Sequence, residues 1–200
     1  GGEWFASVGS TRNGGTAVFS VSGHVARPGL YEFPMGSSLM DVIGAAGGLR
    51  EGRQLKAVIP GGTSTPILTA TEAASAKMDF DSMRGLGTFL GAGGVIVLDD
   101  TADMVEVLYI IERFLWTESC GQCTPCREGS GWVTRILKRM VPAQGYAQDP
   151  DNLLRIGDNI SGTVICALGE TIGPVAKSII NKFRPEFEAR IKKAPVGAHA

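Results

Sequence analysis

Several features that would point to a class of partner are missing from this sequence. Its 200 residues include 19 Lys and Arg against 20 Asp and Glu, which leaves a formal charge of −1 at pH 7. Neither half has the basic excess that would attract nucleic acid or an anionic membrane surface. The longest apolar runs, 95–98 and 107–111, are much shorter than the roughly 20 residues of a membrane-spanning helix. These absences predict a protein that neither binds nucleic acid nor inserts into a membrane.

The residues of common catalytic sites are also scarce. The only histidines, His24 and His199, are more typical of surface side chains than of ligands, and no Ser-His-Asp or paired-carboxylate pattern is present. There is no G-x-G-x-x-G segment followed by an acidic residue about 20 positions later, the pattern that binds dinucleotides. We therefore predict no catalytic residue and no residue that binds an organic cofactor.

Cysteine is absent from the first 100 residues, where glycine is concentrated. All four cysteines lie beyond residue 100, whereas 19 of the 28 glycines precede it. Such a change of composition favours two domains, and the chain is long enough for two small cores. Because the sequence opens on Gly1 rather than Met, we expect a piece of a longer protein in preference to a processed product. The predicted boundaries are a leading segment over 1–15, a first domain over 16–98, a second domain over 99–193 and a loose tail over 194–200.

The first domain is predicted to be a small α+β domain. Two runs rich in β-branched and aromatic residues flank Pro28 and Gly29, which suit neighbouring positions of a tight turn. Ser38 is a good cap for a helix that Gly47 and Gly48 would end. The run 94–98 is apolar throughout, which is typical of a central strand. The predicted elements are strands over 17–21, 30–33, 56–60 and 94–98, and a helix over 39–46.

The second domain is predicted to be an all-α four-helix bundle. Four segments carry apolar residues at helical spacing and are joined by short polar loops. We expect Asp100 or Thr101 to cap the first helix and Asp103 to lie in its first turn. The second helix is predicted to begin near Pro125 and to stop at Pro142.

The cysteines carry the only strong chemical motif. Cys120, Cys123 and Cys126 have the spacing C-x2-C-x2-C, and Cys166 follows 40 positions after Cys126. Three thiolates this close together can bind different irons at one corner of a cubane cluster, while a distant fourth completes its coordination. The pattern favours a [4Fe-4S] cluster as the metal centre.

Other interpretations of the four cysteines remain open. Zinc sites of four cysteines usually pair two C-x2-C units, whereas here the distal part supplies one cysteine. Disulfides between cysteines two residues apart would close strained loops. Four inert buried thiols would not explain why three of them crowd into a polar loop.

These same residues carry a resemblance to a known family. The motif ESCGQCTPCREG over 118–129, with ICALG over 165–169, closely resembles the iron-sulfur region of the flavin-bearing, NADH-oxidising subunit of respiratory complex I. The segment VSGHV over 21–25, with Pro28, Gly29 and Tyr31, resembles the ubiquitin-like β-grasp (SLBB) domain of the same subunit. The resemblance covers most of the chain, and its cysteine motif is highly specific.

The resemblance implies an electron relay. In that family, the cysteines that match Cys120, Cys123, Cys126 and Cys166 hold a [4Fe-4S] cluster, which takes single electrons from reduced FMN and passes them to further clusters. The family's FMN- and NADH-binding domain has no counterpart in these 200 residues. We therefore expect an NADH dehydrogenase (NADH-quinone oxidoreductase) part that works only within its complex and does not oxidise NADH alone.

The resemblance also implies partners and a location. The partners would be other subunits of a respiratory or diaphorase complex, including a smaller iron-sulfur subunit. The location would be cytoplasmic, peripheral on the inner face of the cell membrane, or the matrix side in a mitochondrion. The alternatives are the diaphorase subunit of an NAD-reducing hydrogenase or of an NAD-dependent formate dehydrogenase, and a zinc-stabilised binding or assembly module.

Overall fold

A computed structural model describes residues 1–192 of the chain. The chain divides into two compact units, one from Gly1 to Ala102 and one that begins at Asp103. The expected mixture of a sheet with several helices is confirmed. The predicted tail over 194–200 and His199 lie outside the described residues, and the predicted domain boundaries stay predictions.

The first unit is built on a mixed five-stranded sheet. Its strand order is β4-β3-β7-β5-β6, in which β3 and β7 run parallel and the other neighbours run antiparallel. A separate pair, β1 and β2, precedes the sheet. The strands are β1 Gly9–Ser10, β2 Asn13–Gly14, β3 Thr16–Gly23, β4 Gly29–Pro34, β5 Leu55–Ile59, β6 Leu68–Thr69 and β7 Gly94–Asp99, and the helices are α1 Gly2–Ser7, α2 Leu39–Ala45, α3 Ala70–Ser75 and α4 Phe80–Gly85.

The predicted hairpin is present as β3 and β4, but its turn lies elsewhere. Val21 pairs with Gly29, so Gly29 already belongs to a strand and the connection runs over 24–28. The pairing of β3 with β4 ends at Val21, because the end of β3 pairs with β7. The backbone N–H of His24 also donates to Val97 O at 2.8 Å. The prediction of a tight Pro28-Gly29 turn was wrong for this reason.

Two predictions for the first unit are confirmed in detail. The apolar strand β7 is the middle strand of the sheet. Helix α2 begins after Ser38, whose hydroxyl accepts a hydrogen bond from Met40 N at 3.1 Å, and it ends before two glycines with positive φ. One core joins the sheet to the helices, and its fully buried members include Phe19, Leu39, Leu68, Met83 and Val97.

The second unit consists of helices in its described part. All four predicted helices form, and the fourth is followed by a short additional one. They are α5 Met104–Glu118, α6 Thr124–Met140, α7 Asp149–Ile160, α8 Ala167–Lys182 and α9 Arg184–Glu188. No helix of the described residues has both the length and the apolar character that a membrane crossing requires.

The start of α5 corrects the predicted cap. Asp103, not Asp100 or Thr101, precedes the helix, and its carboxylate accepts from the N–H groups of Val105 and Glu106. Thr101 instead donates hydrogen bonds from its N–H and its hydroxyl to the carboxylate of Asp99. Asp103 therefore satisfies the first free N–H groups of the helix, a role that the sequence pattern assigned two or three residues too early.

Candidate metal centre

The structure brings all four predicted cysteines to the wall of one cavity. This cavity lies within the second unit and has a volume of about 250 Å³. Its remaining walls are mainly apolar. The lining residues are Cys120, Cys123, Cys126, Cys166, Glu118, Ser119, Gln122, Val164, Ile165, Leu168 and Gly169.

Two helices begin at this cavity, and cysteines occupy their starts. Cys123 is the residue before α6, Cys126 lies in the first turn of that helix, and Cys166 is the residue before α8. Neither Cys123 nor Cys166 uses its side chain to cap its helix. The first N–H groups of two helices, and the positive ends of their dipoles, are therefore at the same site as the thiols.

The four thiols differ in exposure. Cys126 is buried, Cys123 is half-buried, and Cys120 and Cys166 are exposed. All four are free thiols. The site thus has one buried thiol on its inner side and two exposed thiols on its outer side.

The loop between α5 and α6 has a defined shape. Gly121 has φ of +79°, a left-handed conformation that glycine adopts without strain. The Arg127 guanidinium donates to Gly121 O at 3.1 Å and pairs with Glu128 at 2.9 Å. Arg127 therefore ties the cysteine loop to α6.

Ser119 is a further residue of the site that the motif alone did not single out. Its Oγ lies 3.3 Å from the sulfur of Cys126 and accepts a hydrogen bond from the N–H of Gly121 at 3.3 Å. Its position next to Cys120 was the only available signal, and sequence adjacency does not show which sulfur a hydroxyl reaches.

The tryptophans near the motif are not part of this cavity. Among the residues that the structure describes, the lining includes neither Trp116 nor Trp132. Trp116 packs against Gly131, and Trp132 lines a neighbouring cavity with Pro125. The apolar part of the lining comes from Val164, Ile165 and Leu168, and the last two belong to the ICALG segment.

The donor set fits an iron-sulfur cluster. Four free thiols meet at one cavity, and thiolate is the ligand that such clusters take from proteins. Within residues 1–192, no three His, Cys, Asp or Glu side chains converge on the position of a single metal ion. The shared cavity wall is thus the geometric finding, and ligation by the four cysteines stays a prediction.

Two shifted carboxyl groups lie away from the cavity lining. Burial raises the pKa of Glu112 well above its ordinary value. The hydrogen bond from the Thr101 side chain lowers the pKa of Asp99, against an opposing effect of burial. His24 lies 2.7 Å from the same carboxylate, so it is a partner of Asp99 within the first unit rather than a plain surface side chain.

Two known protein families match this chain, one in each of its two units. Residues 106–190 match the NADH-ubiquinone oxidoreductase-F iron-sulfur binding region, and residues 18–68 match the SLBB domain. The chain is homologous to the F-type subunit of NADH-quinone oxidoreductase. The expected resemblance is confirmed, and the cysteine cavity lies in the matched 4Fe-4S binding region.

The F-type relatives extend well beyond this chain. The NADH-quinone oxidoreductase F-type protein of Rickettsia bellii (strain OSU 85-389) is 44% identical over 194 residues, which are 96% of this chain and 46% of that protein. The corresponding protein of Rickettsia felis (strain ATCC VR-1525 / URRWXCal2) is 45% identical, with the same coverage. The chain thus spans slightly less than half the length of these relatives.

Solved structures of a second kind of complex share the fold. The NAD+-reducing [NiFe]-hydrogenase in its H2-reduced state matches with a TM-score of 0.84 and 31% identity, over 96% of this chain and 32% of that chain. The air-oxidised state matches with a TM-score of 0.85 and 30% identity, over 99% and 34%.

Proposed function

We propose that this chain transfers electrons through a [4Fe-4S] cluster held by Cys120, Cys123, Cys126 and Cys166. The observation that supports this most is the meeting of four free cysteines at one cavity inside the matched iron-sulfur region. A bound cluster of this type supplies one-electron chemistry.

The chain's own residues would hold the site in three ways. Cys126, buried in the first turn of α6, would fix the inner side, while Cys166 closes the site from α8. The dipoles of both helices would favour the negative charge of four thiolates. Val164 and Leu168 would keep water from one wall, and this strengthens the electrostatic effect of the nearby N–H groups.

The setting proposed for this relay is the NADH-oxidising subunit of an NADH-quinone oxidoreductase. The chain would be the C-terminal part of that subunit, with a ubiquitin-like β-grasp domain followed by a four-helix bundle. Electrons would come from FMN in an upstream domain and leave to other subunits, including a smaller iron-sulfur subunit. The location would be peripheral at the inner face of the membrane. Support comes from the identity of 44–45% to the F-type proteins.

A second candidate setting is the diaphorase part of an NAD-reducing hydrogenase. Its support is the match to the hydrogenase structures over nearly the whole chain. The higher identity to the F-type proteins of NADH-quinone oxidoreductase favours the respiratory setting. Isolation of the native complex separates the two, because hydrogen-dependent NAD+ reduction by that complex would identify the hydrogenase.

Anaerobic reconstitution of the 200-residue chain with iron and sulfide tests the cluster itself. We expect iron and sulfide in equal amounts and a broad absorption toward the violet that dithionite bleaches. A second reconstitution with equal amounts of zinc and iron tests which metal the four cysteines bind. A chain that keeps zinc, or that shows no absorption reversible by dithionite and air, would remove the basis of this proposal.

A further inference from the structure

Ser119 lies close enough to a cysteine sulfur to influence a bound cluster without being one of its ligands. It follows the last residue of α5 and is half-buried. Its hydroxyl oxygen lies 3.3 Å from the sulfur of Cys126, the most buried of the four thiols. On the basis of the proposed function, we propose that the Ser119 hydroxyl donates a hydrogen bond to the ligating sulfur of Cys126 and raises the cluster's reduction potential.

The lack of a proton on an iron-bound Cys126 thiolate determines the direction of this hydrogen bond. The N–H of Gly121 donates to Ser119 Oγ at 3.3 Å, so the hydroxyl oxygen is already an acceptor. A Cys126 thiolate that binds iron carries no proton and can only accept. The hydroxyl proton of Ser119 is therefore the one donor between these two atoms.

The geometry of the loop keeps the hydroxyl at the sulfur. Gly121 has a positive φ that directs its N–H back to Ser119, and its carbonyl accepts from Arg127 at 3.1 Å. Arg127 follows Cys126 directly in α6. The serine, the glycine and the cysteine thus form one small hydrogen-bonded unit, in which the serine is a positioning residue.

The expected effect follows from charge. Reduction adds one electron to the cluster and its thiolates, breaks no bond and moves no proton. A hydrogen bond to sulfur stabilises the more negative reduced state more than the oxidised state. Removal of the donor should therefore lower the equilibrium constant for reduction by about three- to tenfold, where tenfold corresponds to about 59 mV for a one-electron couple.

The test is an anaerobic redox titration of the reconstituted 200-residue chain, followed by electron paramagnetic resonance. Ser119→Ala removes the hydroxyl, and Ser119→Thr keeps it. Ser130→Ala is the matched control, because the Ser130 hydroxyl donates at 2.6 Å to the carbonyl of the same Cys126 and not to its sulfur. We expect a lower potential for Ser119→Ala, and potentials close to the parent value for Ser119→Thr and Ser130→Ala.

The outcomes separate this inference from the function on which it rests. An intact cluster in Ser119→Ala at the parent potential would overturn the inference and leave the proposed function standing. A parent chain that assembles no cluster would overturn both. If the Ser119→Ala variant assembles no cluster, the unmodified chain provides the test. A proton that couples to its reduced cluster, is lost on exchange into D2O and is retained in Ser130→Ala supports the hydrogen bond. The absence of such a proton overturns it.

Discussion

Two buried carboxyl groups, Asp99 in the first unit and Glu112 in the second, have opposite surroundings. In the first unit, Asp99 is 3% exposed, and its carboxylate accepts hydrogen bonds from the side chain and backbone of Thr101 at 2.5 and 3.0 Å. The same carboxylate lies 2.7 Å from His24 Nδ1, which accepts a hydrogen bond from the Asp99 N–H at 3.1 Å. In the second unit, Glu112 is fully buried, and neither of its oxygens has a hydrogen-bond partner among the described residues. The surroundings of Asp99 favour the carboxylate and those of Glu112 favour the neutral acid. The second unit also holds the buried Asp149, whose carboxylate accepts a hydrogen bond from Arg139 Nε at 3.0 Å.

The same contrast extends to the other polar groups. The three buried side-chain atoms that lack a hydrogen-bond partner in the described residues are the two Glu112 oxygens and Thr134 Oγ, all in the second unit. That unit also holds the four free thiols. In the second unit, buried polar atoms without a described hydrogen-bond partner thus occur together with the candidate metal centre, whereas in the first unit Asp99 and His24 are partners of each other. Substitutions in the two units test this division.

The largest expected effect is the loss of one ligand. Cys126→Ala removes the buried thiol and leaves one iron without a protein ligand. Cluster retention should therefore fall by at least about tenfold, because substitution of a residue that only hydrogen-bonds to a metal ligand already lowers metal affinity by that factor. Iron and sulfide analysis after desalting measures it. His24→Ala in the first unit is the control and should keep its iron. Equal iron in both variants would contradict the division.

A backbone substitution in the first unit should come next. Gly23 has φ of +85°, and a Cβ there would lie 2.3 Å from Val97 O, so Gly23→Ala should cost about 3 kcal/mol of unfolding free energy. Gly48 also has a positive φ, but a Cβ there would meet no described atom within 4 Å. Gly48→Ala should cost only about 1 kcal/mol. Urea unfolding measures the loss of unfolding free energy in both variants. An equal loss in Gly23→Ala and Gly48→Ala would show that the close approach of β3 to β7 does not contribute.

Glu112 and Asp99 should also give pH dependences of opposite sign. The raised pKa of Glu112 means that the folded unit binds a proton which the unfolded chain releases above about pH 4.5. Its contribution is complete below that pH and falls by up to about 1.4 kcal/mol per pH unit as the pH rises toward the folded pKa. Hydrogen exchange of α5 and α6 against pH measures this slope.

Glu112→Gln should flatten the slope, because the amide does not titrate. Glu106→Gln, an exposed change on the same helix, should leave it unchanged. Asp99 gives the opposite sign: its pKa is lowered, so its contribution is present above its ordinary value of 3.8 and is lost as the pH falls through the folded pKa. Contributions of the same sign from Glu112 and Asp99 would refute the contrast.

The smallest effect is a stabilising one in the first unit. Gly44 is exposed within α2, and a Cβ there would meet no described atom within 4 Å. Gly44→Ala should raise the unfolding free energy by about 0.5–1 kcal/mol, because alanine loses less backbone entropy in a helix. Urea unfolding measures the gain, and iron content should not change. A destabilised variant would show that α2 depends on close backbone packing at this glycine.

Much of the helical unit could be predicted because its signals are local and periodic. The apolar stripes predicted α5 to α8, and Pro125 marked the start of α6. In the first unit, α3 was missed although Thr69 and Glu72 form a capping box that the sequence displays. It is only six residues long, too short for a stripe to appear.

Other features could not be predicted because they depend on tertiary contacts. His24 and Asp99 are 75 positions apart, and only the parallel pairing of β3 and β7 brings them together. Ser119 and Cys126 are close in sequence, but their contact depends on the turn at Gly121. The cysteine spacing suggested a common site, yet the apolar wall from Val164 and Leu168 required the start of α8 to be placed.

One measurement tests the central claim most directly: electron paramagnetic resonance at low temperature of the reconstituted chain after reduction by dithionite. We predict the spin-one-half signal of a reduced [4Fe-4S] cluster, with one spin per chain, lost on reoxidation. A chain that binds zinc through these cysteines and gives no signal would contradict the account.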